Sequence, residues 1–204
     1  MVSHSAIIHP NVRLGENCIV EDFVIIGHPS REVKSGELET NIGDNAIIRS
    51  HTIIYAGNTI GNNLETGHGT VIRERNKIGD NVSVGTNSVI EHHVIMGNNV
   101  RIHSNCFIPE YTIIEDGCRL APGVVLTSAK RPLNFDVKDN IRGSILKRNC
   151  YVGANATILA EVEIGENAMI GAGAVVTKNV LANTVIVGNP AKELRGITEK
   201  ERKR

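Results

Sequence analysis

The sequence has no tryptophan, only three tyrosines and three phenylalanines, and no net charge, its 22 basic side chains balancing 22 acidic ones. With 3% aromatic residues the core must be filled by aliphatic side chains. A nucleic-acid binder usually carries a basic surplus, which is missing here. Apolar runs are as short as Val24-Ile25-Ile26, so none spans a bilayer as a helix. The opening residues, Met1-Val2-Ser3-His4-Ser5, lack the basic, apolar, small-residue order of a secretory signal. Cys18, Cys106, Cys118 and Cys150 are scattered without a C-x-x-C pair, which reads as reduced thiols in a soluble cytoplasmic protein. Neither a Walker nor a Rossmann glycine pattern is present, against a kinase or a dehydrogenase. The length, 204 residues, suits one domain.

What the chain has in quantity is glycine, 20 residues of it, and a period of six. Steps of six from Ile42 land on Ile48, Ile54, Ile60, Thr66, Ile72, Ile78, Val84, Ile90, Met96, Ile102, Ile108, Ile114, Leu120 and Leu126. Only Thr66 among these anchors is polar. The same register is present at Ile8, Leu14, Val20 and Ile26, and returns from Leu146 to Val176. Glycine often follows the anchor, and a small or β-branched residue stands four places after it. Six fits neither a helix at 3.6 nor a plain strand at 2. It fits a parallel β-helix whose three flat sides close a triangular coil, so that residues 18 apart stack about 4.8 Å from coil to coil. Asn, Asp and Gly fill the corners because they tolerate positive φ, and a narrow prism has no room for Trp.

This pattern resembles the hexapeptide-repeat acyltransferase superfamily over nearly the whole chain. The resemblance implies an all-β, left-handed parallel β-helix, acetyl-CoA as acyl donor, no metal, and a homotrimer with sites between subunits. Two excursions interrupt the repeat, residues 28–41 and 128–145, and the second has the position of the loop that closes over a neighbour's site in such proteins. The helix is expected to occupy residues 1–187. Val187-Gly188-Asn189-Pro190-Ala191-Lys192 resembles the family's V-x-G-x-P-A-[KR] ending, and residues 188–204 read as a helical, charged tail.

Acyl transfer needs an acceptor relieved of its proton, and histidine is the usual base near neutral pH. Stacking by 18 aligns Glu74, His92, Glu110 and Ser128 in one column, beside Arg75, His93, Tyr111 and Ala129. The second excursion leaves from the same corner. Ser88 to Gly97 resembles a V-V-D-H-E-C-x-I-G segment of sugar acetyltransferases in the sialic-acid and bacillosamine branch, where the His is the base and the next residue, Glu, orients it. The resemblance makes His92 the base. His93 stands where the orienting Glu would be, which leaves Glu91, Glu74 or Glu110 to do the orienting. A second corner aligns His51, Gly69, Asn87 and Asn105 beside Ser50, His68, Thr86 and Ser104. There Val100 to Asn105 resembles the V-K-I-Q-N-N of nucleotide-linked 3-amino-sugar N-acetyltransferases, which makes Asn105 and His103 rival catalytic candidates and His68 a candidate substrate contact. For the coenzyme, Gly153, Gly171, Ala172 and Gly173 leave coil backbone approachable, and Lys192 or Arg195 could meet a phosphate.

The expectation is transfer of an acetyl group to an amino sugar, nucleotide-linked. O-acetylation and succinyl transfer stay open on the same fold. A γ-type carbonic anhydrase is the other enzyme reading, but its H-x4-H spacing occurs here only at His4 and His9. A purely structural β-helix is the non-enzyme reading.

Overall fold

The computed structural model describes residues 1–31, 33–130 and 141–202. In them the period of six becomes a parallel β-helix. Two-residue strands end at corners, and each pairs in register with the strand one coil further on, as Val71–Ile72 does with Val89–Ile90. Three sheets of nine, eight and ten strands result among the described residues. We name each face by one anchor. The Ile90 face stacks Ile54, Ile72, Ile90 and Ile108. The Met96 face stacks Ile60, Ile78, Met96, Ile114 and Leu146. The Val84 face stacks Thr66, Val84, Ile102, Leu120 and Val152.

Successive side chains on a strand point to opposite faces, so each anchor turns inward and its predecessor outward. All the anchors from Ile42 to Leu126 are buried. Thr66 is tolerated among them because its hydroxyl accepts the Arg49 N–H at 3.0 Å and meets the Thr52 hydroxyl at 3.1 Å. Ile8, in the first coil, is 38% exposed because no coil lies beneath it. The four cysteines are free and buried inside the coils.

The corners explain the glycines and asparagines. After the Met96 face, Asn45, Asn63, Asn81 and Asn99 take φ of 57–58° or 59°, the left-handed region. Their amides form a ladder, Asn63 Nδ2 donating to Asn81 Oδ1 at 2.8 Å and Asn81 Nδ2 to Asn99 Oδ1 at 3.3 Å. Gly61, just before this corner, lies flush against the next coil: a Cβ there would sit 2.3 Å from Asp80 Oδ1.

Both excursions leave from a single corner, the one that follows the Ile90 face. The strands Ile25–His28 and Thr40–Ile42 trim the first to residues 29–39. It folds along the N-terminal coils, where Ser35 Oγ meets His9 Nδ1 at 2.8 Å and Leu38 packs over Gly57 beside Arg75. The second starts at Ser128 and rejoins the helix at the strand Ile145–Leu146. Its middle, 131–140, lies outside the described residues, as do 203–204.

The expected helical tail is corrected. Thr184–Val187 is the last parallel strand, and Lys192–Gly196 folds back on it as an antiparallel strand. Among the described residues of the tail only Glu199–Arg202 is helical. Thr198 precedes that turn, its N–H and hydroxyl both donating to the Glu201 carboxylate, the Glu half of a capping box, while the Glu201 N–H donates to the Thr198 carbonyl at 3.1 Å. The Lys-Glu-Leu-Arg run has good helix formers, but the open edge of the ten-stranded sheet offers it backbone partners that outweigh propensity.

Candidate active site

The corner after the Ile90 face gathers the titratable side chains. Three consecutive coils present Arg73-Glu74-Arg75, Glu91-His92-His93 and Pro109-Glu110-Tyr111 there, with Thr127-Ser128-Ala129 above. Hydrogen bonds from coil to coil hold the turns in register, as His93 N–H donates to the Glu74 carbonyl at 3.2 Å and Tyr111 N–H to the His92 carbonyl at 3.4 Å.

The corner is braced from inside. Asn58 and Asn76 stack in the core where other coils have Val94 or Thr112, and both are buried. Asn76 Oδ1 accepts the Val94 N–H at 2.7 Å, and its Nδ2 donates to the Arg73 carbonyl at 2.8 Å. One side chain thereby ties the turn carrying Glu74 to the turn carrying His92. Among the described residues no buried side-chain polar atom lacks a partner.

On the outside, Arg73 takes the carboxylates. Its Nε and Nη2 donate to Glu74 at 2.8 and 3.0 Å, and Nη1 lies 3.5 Å from Glu91. The guanidinium sits over the Tyr55 ring, 4.9 Å from its centroid. Burial pushes the Glu74 carboxyl up, but the hydrogen bonds and charge of Arg73, with His92 nearby, prevail and hold it below its ordinary value. Glu110 accepts a hydrogen bond from Ser128 Oγ at 3.2 Å. None of the three carboxylates expected to orient His92 therefore hydrogen-bonds to it. Its partner is His93: the two Nδ1 atoms are 2.9 Å apart, and the rings stand edge to face. Tyr111 stacks on His93 at 5.3 Å and meets His92 edge-on at 5.6 Å. Partial burial, then His92 and Arg75, hold the His93 pKa below its ordinary value, with Glu74 opposing.

The rival candidates lie elsewhere. His68 and His103 line an open groove of about 450 Å³ on the Val84 face with Arg49, Arg101 and Thr86. His103 Nδ1 accepts the Ser104 N–H at 2.9 Å, so the neutral ring carries its proton on Nε2 and has no free lone pair for base work. His68 Nδ1 is engaged by Ser50 Oγ at 2.8 Å. Asn105 is an exposed corner residue at φ 59°, in a column with Asn87 and Gly123. Gly153 and Gly171 answer to packing: a Cβ on the first would be 2.5 Å from Ala172 N, and on the second 2.7 Å from a Val187 methyl. Ala172 is exposed, and Gly173 takes φ +68° with open space around it. Lys192 and Arg195 sit on the antiparallel strand, and Arg195 is committed to Glu201 at 2.8 Å. Among the described residues no three His, Cys, Asp or Glu side chains are grouped to hold a metal ion, and no helix is long and apolar enough to cross a membrane.

Sequence reasoning found the histidine column and its loop. It missed Arg73, which stands one place outside the columns compared, and the internal Asn58–Asn76 pair. The signal for the pair was available, two amides in a column otherwise apolar or hydroxylic.

Comparison with known proteins agrees with the repeat. The family model described as bacterial transferase hexapeptide, six repeats, matches residues 77–110 and 143–178. A Schizosaccharomyces pombe protein named as a candidate acetyltransferase is 42% identical over 82 residues, 38% of this chain and 40% of that protein. The galactoside O-acetyltransferase of Escherichia coli is 30% identical over 93 residues, 43% of this chain and 45% of the enzyme. These matches span less than half the length of the curated relatives. Among solved structures, a UDP-N-acetylglucosamine acyltransferase from Bacteroides fragilis superposes with a TM-score of 0.66 over all of this chain and 77% of that one. At 21% identity that likeness speaks for the fold, the left-handed parallel β-helix.

Proposed function

We infer that this chain, a member of the hexapeptide-repeat superfamily by its repeat and its β-helix, is an acyltransferase that moves an acetyl group from acetyl-CoA to an amino sugar, with His92 as general base. One observation carries the role of His92. It is half-exposed at the corner from which both excursions leave, and its Nε2 has no hydrogen-bond partner among the described residues while Nδ1 is engaged. A base needs that arrangement, one nitrogen held and the other open to the acceptor.

The bonds balance simply. The acceptor nitrogen attacks the thioester carbonyl, its proton passes to His92 Nε2, the C–S bond breaks, and the proton leaves with the thiolate as free coenzyme thiol. Arg73 holds Glu74 ionised, so a negative charge faces the imidazole during the step. A backbone N–H of a coil is the donor available to the oxyanion.

An amino-sugar acceptor, nucleotide-linked, rests on the resemblance of the His92 and Val100–Asn105 segments; a hydroxyl acceptor would use the same base. The outward row Val71, Val89, Phe107 and Val125 on the Ile90 face supplies an apolar surface for a homotrimer, with sites shared between copies. The test is thiol release from acetyl-CoA against nucleotide-linked amino sugars and simple glycosides, with His92→Ala and Asn105→Ala side by side. Loss with His92→Ala alone is expected; undiminished turnover removes His92 as base. Sedimentation as a monomer would end the shared-site arrangement.

A further inference from the structure

We propose that His93 is a positioning residue for His92: its bare Nδ1 accepts the His92 Nδ1–H, which fixes His92 in the tautomer that leaves Nε2 free to take a proton. This rests on the reading of His92 as the base.

Two nitrogens 2.9 Å apart share a single proton, so one ring donates and the other accepts. If His93 donated, neutral His92 would carry its own proton on Nε2, and both of its nitrogens would be occupied. If His92 donates, Nε2 is bare. Proton uptake at Nε2 then leaves the Nδ1–H···Nδ1 bond intact and makes it charge-assisted. A second proton, on His93, would set two N–H groups against each other at the same distance. The pair therefore holds one added proton, and it belongs on His92 Nε2. The surroundings point the same way. Arg75 beside His93 disfavours a cation there, and the His92 ring lies close enough to Glu74 to favour that carboxylate's ionised form.

The fold holds His93 in place at a cost. It sits at φ 57°, with Arg75 at 61° and Tyr111 at 60° in the coils on either side. A left-handed conformation disfavours side chains other than Gly, Asn and Asp, and such outliers collect where a function over-determines them. Stacking on Tyr111, with an interplanar angle of 24°, fixes the plane in which the His93 nitrogen presents itself. A carboxylate would orient an imidazole by charge. A neutral imidazole does it with a single lone pair and places no second negative group next to Glu74 and Glu91.

The ring nitrogens of ¹⁵N-labelled protein, read by long-range proton–nitrogen correlation at a pH where the pair is neutral, test this without any substitution. His92 should be protonated on Nδ1 and His93 on Nε2. In His93→Phe, which keeps a ring against Tyr111 and removes the acceptor, His92 should move to the Nε2–H tautomer. Its kcat should fall about 10- to 100-fold with little change in KM for acetyl-CoA. A His92 proton on Nε2 in the wild type, or an unchanged kcat in a folded His93→Phe, overturns the proposal. Full turnover by His92→Ala would overturn the reading of His92 as the base and leave the wild-type nitrogen shifts as they are, so the two failures read differently.

Discussion

Two corners of the same prism solve one geometric problem in different ways. Both need a residue in the left-handed region once per coil. The corner after the Met96 face uses Asn45, Asn63, Asn81 and Asn99, whose short amides tolerate that conformation and bond to one another, and continues with Gly117, Asn149 and Asn167. The corner after the Ile90 face uses Arg75, His93, Tyr111 and Glu161 in the equivalent place. The asparagine corner is optimised for the fold. The histidine corner gives up that optimum on consecutive coils, and it is also where both excursions depart. Strain by itself does not identify a function, since Phe23 and His51 take positive φ at the third corner too. Strain, titratable groups and both excursions coincide only at the histidine corner.

The contrast breaks most directly by substitution at matched positions. His92→Ala should lower kcat by ~100- to 10,000-fold, the usual contribution of a positioned base. Asn99→Ala, one corner further along the same coil, should leave turnover within about twofold, its cost being the Asn81 Nδ2 bond and an alanine in the left-handed region. Equal losses in the two variants would mean that the corners differ in composition and not in role.

Much of this was legible in the sequence because a period of six is a steric statement. Anchors must turn inward, left-handed corners select Asn and Gly, and stacking by 18 then assigns every side chain to a column. The column of Glu74, His92, Glu110 and Ser128 follows from counting alone. Counting does not say which nitrogen meets which carboxylate. Arg73 is one residue outside that column, on the flat face, and by binding Glu74 and Glu91 it leaves the imidazole of His92 to His93. The C-terminal strand was illegible for another reason: Lys192–Gly196 has local helix preference, and its partner Thr184–Val187 is supplied only by the finished sheet.

The interior bracing gives the next largest effect. Asn76→Val removes the acceptor of the buried Val94 N–H and the donor to the Arg73 carbonyl. It should cost about 1–3 kcal/mol in denaturant unfolding, the range for a buried group left without its partner. The loss should also reach activity, because the turn bearing His92 is the one released. An Asn76→Val protein of unchanged stability would show that the amide column is incidental. No counterpart is expected at the asparagine corner, where the inward column is Ala46, Leu64, Val82 and Val100.

Exchanging corner residues should produce smaller shifts of opposite sign. Arg75→Asn relieves a left-handed arginine and should stabilise the fold by about 0.5–1 kcal/mol, while Asn81→Arg should destabilise it by a similar amount or somewhat more, since two ladder bonds go as well. Thermal melting of the two variants side by side checks the pair. Stabilisation of both would mean that the two corners do not differ in backbone demand.

The smallest difference is in acid. His93 has a folded-state pKa below its ordinary value of 6.5, because burial, His92 and Arg75 disfavour its cation. As pH falls below 6.5 the unfolded chain binds that proton first, so the contribution is whole above this point and is lost as pH falls through the folded value. Glu74 is also held low, by Arg73 against the opposing effect of burial, and its share is present above 4.5 and lost as pH falls through its folded value. The histidine corner thus gives way in two steps, one below the histidine range and one below the carboxylate range. His93→Asn should remove the first step and leave the second, whereas Asn81→Ala should lower stability without changing the shape of the acid limb. Urea midpoints taken from pH 7 to pH 3 separate the cases. An acid limb of the same shape in His93→Asn would mean that the neutral imidazole the fold prefers is not His93.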